Sequence, residues 1–349
     1  MITTTVVGSY PQPDWLVDRE RFKKNVVPRI RMPEVWRVDS AHLDEAQDDA
    51  VRLAVMEMER ADIDVISDGE QRRESYFNRF ANALGGVDPD RPGSAIARLG
   101  RPTPVPRIVG PIERIRPVSV PEARFLRSVT DRKIKITVPG PFTLSSLAQD
   151  EHYRDPERLA MAYAAAVNAE LRELEPIVDW VQLDEPYLQA HPDRGRAYGL
   201  AAIDRALAGL RKPTCIHLCF GYAYSHALAG STKSGGYAFL PELERSAATQ
   251  VSIEAAQPRL DCAILRALPS KTIVLGVLDL GDAAVEAPEV VAGRIRSALA
   301  HVPPERLVPA PDCGMKYLPR ERAIGKLEAL AAGARLVRAE VASGARPRA

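Results

Sequence analysis

The chain has 349 residues, 46% of them hydrophobic and 27% charged, with a formal net charge of +1. That is enough apolar material for a large buried core, and the near-zero charge supplies no basic field for nucleic acid or an anionic membrane surface. No apolar run approaches the roughly 18 residues of a membrane span, and the N-terminus lacks the basic start and apolar stretch of a signal peptide, so a cytoplasmic protein with no membrane or nucleic-acid partner is expected.

Short β-branched runs alternate with longer helical patterns. Thr3 to Ser9 reads as the first strand and Leu43 to Arg60, rich in Ala, Glu and Met at helical spacing, as a helix. Ile63 to Glu70 is a strand ending in acids, and Ile134 to Gly140 is the third. An Ala-rich helix from about Pro156 leads to Trp180 through Pro186. Thr214 to Cys219, Gln250 to Glu254, Thr272 to Asp279 and Leu307 to Cys313 complete eight strand patterns. Strand–helix alternation argues a parallel sheet, and eight units argue a closed (β/α)8 TIM barrel, expected to occupy residues 1–349 as one catalytic domain. An open doubly wound sheet is the rival, but no Gly-x-Gly-x-x-Gly follows the first strand. Residues 73–132 break the rhythm. They are long, Pro-rich and without a clear helix, and read as an excursion after strand two with a hairpin near Ile108 to Val120. A second break, Gly230 to Gly236, is a glycine-rich loop that suits a lid or a surface linker.

Nearly every strand pattern ends in a reactive residue: Gly8-Ser9, Asp68 to Glu70, Asp184-Glu185, His217 and Cys219, Glu254, Asp279 and Cys313. In a barrel these ends converge on the active face. His217 and Cys219 are two apart, so on a strand both point to one side. Imidazole nitrogen, thiolate sulfur and a carboxylate such as Glu254 are zinc ligands, and Gly314 after Cys313 allows close backbone approach. A lone His-x-Cys is weak evidence, and a Cys on an apolar strand is usually a small buried hydrophobe. Cys215 and Cys262 are read that way, and the convergence of the other four at strand ends favours a metal site.

These segments resemble the catalytic domain of the cobalamin-independent methionine synthases. Val181-Gln182-Leu183-Asp184-Glu185-Pro186, His217-Leu218-Cys219, Ser252-Ile253-Glu254 and Pro311-Asp312-Cys313-Gly314-Met315-Lys316 look like that family's motifs in order, as do Gly8-Ser9-Tyr10-Pro11 and Asp68-Gly69-Glu70. The length is that of the short, single-barrel type. The resemblance implies a zinc-dependent S-methyltransferase that activates a thiol, homocysteine, for conversion to methionine. His217, Cys219, Glu254 and Cys313 would bind Zn2+; Val7, Gly8 and Ser9 would hold the homocysteine carboxylate end; Glu70 and Asp184 would meet its amino group. Two carboxylates suit an ammonium, although a salt bridge to an arginine such as Arg72 is the plainer role.

The donor half departs from the family. Leu147, Ala190 and Gly281 stand where its folate-stacking Trp, folate-contacting Glu and proton-donating His would align, so a folate donor does not simply carry over. Asp279 or Asp282 is the expected substitute for proton delivery. A related zinc alkyltransferase with another thiol or electrophile, of the epoxide:coenzyme M type, is the alternative, and a non-catalytic zinc protein the third reading. The methyl donor, a partner protein and the oligomeric state, a homo-oligomer included, are left open.

Overall fold

The computed structural model describes residues 2–98, 100–233 and 236–344. Its strands, in chain order, are β1 (Val65–Ile66), β2 (Gly85–Val87), β3 (Gly93–Ile96), β4 (Pro102–Val105), β5 (Arg107–Glu113), β6 (Lys133–Pro139), β7 (Gln149–Asp150), β8 (Trp180–Asp184), β9 (Thr214–His217), β10 (Gln250–Ile253), β11 (Thr272–Leu278) and β12 (Leu307–Pro311). Seven of them form one parallel sheet in the order β1-β6-β8-β9-β10-β11-β12. The N-terminal segment closes it. Thr5 bridges Val65 in parallel and its N–H reaches the carbonyl of Pro309 at 3.1 Å. The result is an eight-membered barrel, with the first member reduced to a single bridge where the sequence suggests a strand from Thr3 to Ser9.

The reason is where the next backbone groups go. The Val7 carbonyl accepts from the Gln182 side chain at 3.0 Å, the Gly8 carbonyl from Ser67 Oγ at 2.7 Å and the Ser9 carbonyl from the Met315 N–H at 2.8 Å. The segment is satisfied by side chains and loops rather than by a ladder. Outward-facing residues such as Ile136, Leu183, Ile216, Val251 and Leu275 pack in the main core, whereas Val65, Trp180, Cys215, Val274, Val308 and Ala310 form a separate buried cluster of the opposite parity, inside the barrel. Cys215 is thus a core residue. Cys262 is only half-buried.

Helices Leu43–Arg60 and Pro156–Leu174 stand where the periodicity predicts them, the second capped by Asp155, whose side chain accepts from Glu157 and Arg158 N–H. Helices Leu200–Leu207, Pro288–Leu299 and Arg320–Ala342 cover later strands. Among the described residues no helix is long and apolar enough to cross a membrane.

The excursion differs from expectation in two ways. Its hairpin is β3–β4, not near Ile108 to Val120; β5 pairs antiparallel with β2 and parallel with β7. And it contains a helix, Val120–Ser128, with no local capping side chain. Its first amides are instead met from another element: Glu170, fully buried on the helix Pro156–Leu174, accepts from the N–H groups of Val118, Ser119 and Val120 and pairs with Arg114. Residues Ser234 and Gly235 of the glycine-rich loop lie outside the described residues.

Candidate metal and substrate site

The ends of the barrel strands open into a cavity of about 360 Å³. Val7, Ser9, Glu70, Asp184, His217, Cys219 and Cys313 line it, joined by Arg29, Tyr76, Arg98, Tyr187, Phe220 and Tyr222. The backbone must come close here. A Cβ on Gly314 would lie 2.1 Å from Ser9 Oγ, and one on Gly8 would lie 2.7 Å from Glu70 Oε1 and 2.8 Å from Thr137 Cγ2. Gly8 itself is not among the lining residues; it lets the first segment press against Glu70.

His217, Cys219 and Cys313 are all buried, and each offers one ligand atom within 4.8 Å of the others'. The register explains it: β9 delivers His217 and, two residues on, Cys219, while Cys313 follows β12. Ser252 on β10 lies 2.9 Å from His217 Nδ1, and Nε2 is buried without a hydrogen-bond partner. A buried orphan nitrogen beside two sulfurs is a donor set for a borderline-soft ion such as zinc. The neighbouring Cys313 thiol and His217 hold Cys219 well below the usual thiol range despite burial, and Cys219 and burial push Cys313 up in turn. Two neighbouring sulfurs pushed in opposite directions are an arrangement a cation would relieve.

Glu254 stands apart from this group. Its Oε2 accepts from Lys233 Nζ at 2.5 Å and its Oε1 from the Phe220 N–H at 2.9 Å, with both partners of the ion pair fully buried. Asp312 ties the loop after Glu254 to the end of β12, accepting from the N–H groups of Ala255, Ala256 and Gln257 at 3.1, 3.0 and 2.6 Å.

Glu70, at φ +54°, accepts from Thr137 Oγ1 at 3.1 Å through Oε1, while its buried Oε2 has no partner. Asp184 Oδ1 accepts from Gln182 Nε2 at 2.8 Å, and Gln182 in turn accepts from the buried Lys135 at 2.8 Å. Neither carboxylate pairs with Arg72, which binds Asp48. Asp279 is not brought to the cavity. Its carboxylate accepts from the Gly281 N–H at 2.8 Å and its own N–H donates to Glu286, so it builds a turn after β11. Asp282 caps the Ala284 N–H in the same loop. Leu147, Ala190 and Gly281 do not line the cavity either. The residues that sequence reasoning misses are Arg29, Tyr76, Arg98, Tyr222 and Lys233, which come from loops and the excursion, and Tyr187, on the short helix Pro186–Ala190 just after β8; none carries a periodic signal.

The model of the family described as "Cobalamin-independent synthase, Catalytic domain" matches residues 1–335. The chain belongs to this family. It is therefore a methyltransferase. The methionine synthases of Sulfurisphaera tokodaii and Saccharolobus solfataricus are 30% and 31% identical to it, each over 98% of this chain and over 94% and 96% of their own lengths. A solved B12-independent methionine synthase from Shewanella sp. W3-18-1, in complex with selenomethionine, superposes with a TM-score of 0.88 at 32% identity, covering 98% of this chain and 99% of that one. A second solved structure, from Listeria monocytogenes, shares the fold with a TM-score of 0.71 at 19% identity.

Proposed function

We propose that this chain transfers a methyl group to the thiol of homocysteine, giving methionine, on a zinc ion held by His217, Cys219 and Cys313. The observation that carries the reading is the convergence of two thiols and an unpartnered imidazole nitrogen in the wall of a cavity that also holds two buried carboxylates. Zinc at that place would keep the substrate sulfur in its thiolate, nucleophilic form near neutral pH.

The protein's own groups set up the rest. Ser252 engages the His217 ring at Nδ1, leaving Nε2 free for the ion. Glu70 and Asp184 offer the charge for the substrate's ammonium, Glu70 through an oxygen that nothing in the described residues occupies. Val7, Gly8 and Ser9 supply the carboxylate end, with Ser9 Oγ placed 3.3 Å from the Tyr222 hydroxyl. Glu254 becomes a fourth donor only by giving up Lys233. The test is formation of methionine from homocysteine by zinc-loaded protein, with methylfolate, methylcobalamin and simple methyl donors offered in parallel. No product with any of them sinks the reading. A second reading, thiol alkylation with a different electrophile, is favoured by the sequence resemblance, in which Leu147, Ala190 and Gly281 stand where the family's donor-side residues would align. Alkylation of a thiol other than homocysteine under the same conditions would select it.

A pH dependence follows from Glu70. Burial chiefly, helped by Asp184 and Asp68 and opposed by Arg73 and Lys316, pushes its carboxyl up to about 7. An acid with a raised pKa carries its charge only above that value, and an ammonium binds the charged form. Homocysteine affinity is therefore expected to improve severalfold between about pH 6 and pH 8, measured by calorimetry. Glu70→Gln should weaken binding and flatten this profile. An unaltered slope in the variant would remove Glu70 from the ammonium site.

A further inference from the structure

Arg29 is an arginine in an unusual place. It is only 7% exposed, lines the cavity, and has Nη1 buried with no hydrogen-bond partner among the described residues. Its guanidinium lies 5.3 Å from the Tyr76 ring centre and 5.2 Å from that of Phe77. Burial works against its charge, and the neighbours that support it are the phenols of Tyr76, Tyr187 and Tyr222, not carboxylates. An arginine does not discharge, and aromatic faces return only part of the hydration it has lost. Among the described buried cations, Arg73 is paired with Glu122 and Lys233 with Glu254, while Lys135, Lys271 and Lys316 hydrogen-bond to side-chain amide or backbone carbonyl oxygens instead. Arg29 has the burial without the anion.

Its position is also built. Three consecutive carbonyls are pinned by side chains of the excursion: Pro28 O accepts from Ser75 Oγ at 2.6 Å, Arg29 O from Asn82 Nδ2 at 3.0 Å and Ile30 O from Asn78 Nδ2 at 2.9 Å. Tyr76 and Tyr187 line the same cavity, and their hydroxyls are buried without a hydrogen-bond partner among the described residues. Burial keeps the Tyr76 phenol protonated well beyond its usual range, so it remains a donor. Arg98 lies 5.6 Å over the Tyr187 ring and donates to the Cys219 carbonyl at 2.7 Å, which ties this wall to the metal-capable group.

We infer that Arg29, Tyr76 and Tyr187 form an oxyanion-binding subsite of the cavity, built for a carboxylate or phosphate carried by a substrate. The inference takes the cavity to be the substrate cavity proposed above. A guanidinium fork flanked by two hydroxyl donors is the arrangement that recognises such a group, and the fixed backbone means little ordering is left for the ligand to drive. Two molecules could bring the oxyanion: the amino-acid thiol itself, or the second substrate that donates the methyl group.

Calorimetry on wild type, Arg29→Met, Tyr76→Phe and Tyr187→Phe at constant ionic strength in chloride separates them. The probes are L-homocysteine; 3-mercaptopropylamine, which keeps the thiol and amine but lacks the carboxylate; glutarate; and inorganic phosphate. Arg29→Met should weaken at least one oxyanion probe about tenfold to a hundredfold, and each Tyr→Phe change severalfold. Loss confined to homocysteine, with 3-mercaptopropylamine unaffected, assigns the subsite to the amino acid's carboxylate. Unchanged homocysteine binding with loss of glutarate or phosphate assigns it to the second substrate. The melting temperature of free Arg29→Met should be equal to or above that of wild type, because an unpaired buried charge has been removed. A lowered melting temperature with every probe bound as in wild type makes Arg29 a structural residue and overturns the inference. Because binding is read directly, this result is distinct from a failure to form methionine.

Discussion

Replacing Cys219 or Cys313 with serine is expected to lower zinc affinity roughly a hundredfold or more and to take methyl transfer with it, whereas Glu254→Gln should cost less than about tenfold. The free energy of a protein zinc site, about 10–16 kcal/mol spread over its donors, sets the first figure. The contrast comes from the geometry. Both cysteine sulfurs and a His217 ring nitrogen already lie within 4.8 Å of one another, and Nε2 has no hydrogen-bond partner among the described residues. Both oxygens of Glu254 are committed, one to the Lys233 ammonium and one to the Phe220 amide. Recruiting it would strand a buried lysine, which costs several kcal/mol. Competition against a chromophoric chelator gives the affinities, and circular dichroism of each metal-free variant reports the fold. Equal losses for Glu254→Gln and the cysteine variants would make Glu254 a resident donor. Collapse of the fold on zinc removal alone would make the site structural.

The barrel was legible because its determinants are local. β6, β8, β9, β10, β11 and β12 lie where β-branched runs lie, and Asp155 announces the helix after it. The clustering of chemistry at strand ends was legible for the same reason, since a two-residue period places His217 and Cys219 on one face whatever surrounds them. What failed was what depends on distant partners. The helix Val120–Ser128 carries no capping residue of its own because Glu170, 50 residues on, receives its first amides. The β3–β4 hairpin lay hidden in a Pro-rich stretch, with the Ser94 N–H met by Gln149 of β7, 55 residues on. Asp279 looked like a strand-end acid facing the site, but Gly281 follows it at turn spacing, and the carboxylate folds back onto that amide. Glu254 looked like a ligand by position. In the structure its carboxylate is engaged by Lys233, which comes from a glycine-rich loop with no strand pattern. Arg29 and Tyr76 had no signal at all, being brought to the cavity by loop carbonyls and side-chain amides.

The excursion is held to the barrel, and to the site, by a buried charge network, and cutting it at Glu122 should have the largest effect on stability of any single change outside the core. Glu122, on the helix Val120–Ser128, accepts from Arg73 Nε and Nη2 at 3.1 and 2.8 Å and pairs with Arg79 at 2.6 Å. Arg73 and Glu122 are both 3% exposed. Glu122→Ala leaves the Arg73 guanidinium buried with Asp68, at 3.6 Å, as its nearest remaining anion. Breaking one side of a buried pair typically costs about 3–5 kcal/mol, a large share of the roughly 5–15 kcal/mol that holds a protein of this kind together. Denaturant midpoints measure it, and Glu122→Gln, which keeps an acceptor, should lose less. Burial pushes the Glu122 carboxyl up, but Arg73 and Arg79 outweigh it and hold the group below its ordinary 4.5. With the folded-state value depressed, the unfolded chain binds the proton more readily, so this contribution is present above about pH 4.5 and lost as the pH falls through the folded-state value. Glu122→Gln should flatten that acid limb. The network also reaches the Glu70 carboxylate, proposed above to meet the substrate's ammonium, because Arg73 Nη1 donates to Thr137 O and Oγ1 at 2.9 and 3.1 Å, and Thr137 Oγ1 donates to Glu70. A loosened Arg73 should therefore raise the KM for homocysteine severalfold even where the variant is folded. An Glu122→Ala protein with a wild-type midpoint and a wild-type KM would show that neither the anchoring of the excursion nor the placement of Glu70 depends on this pair.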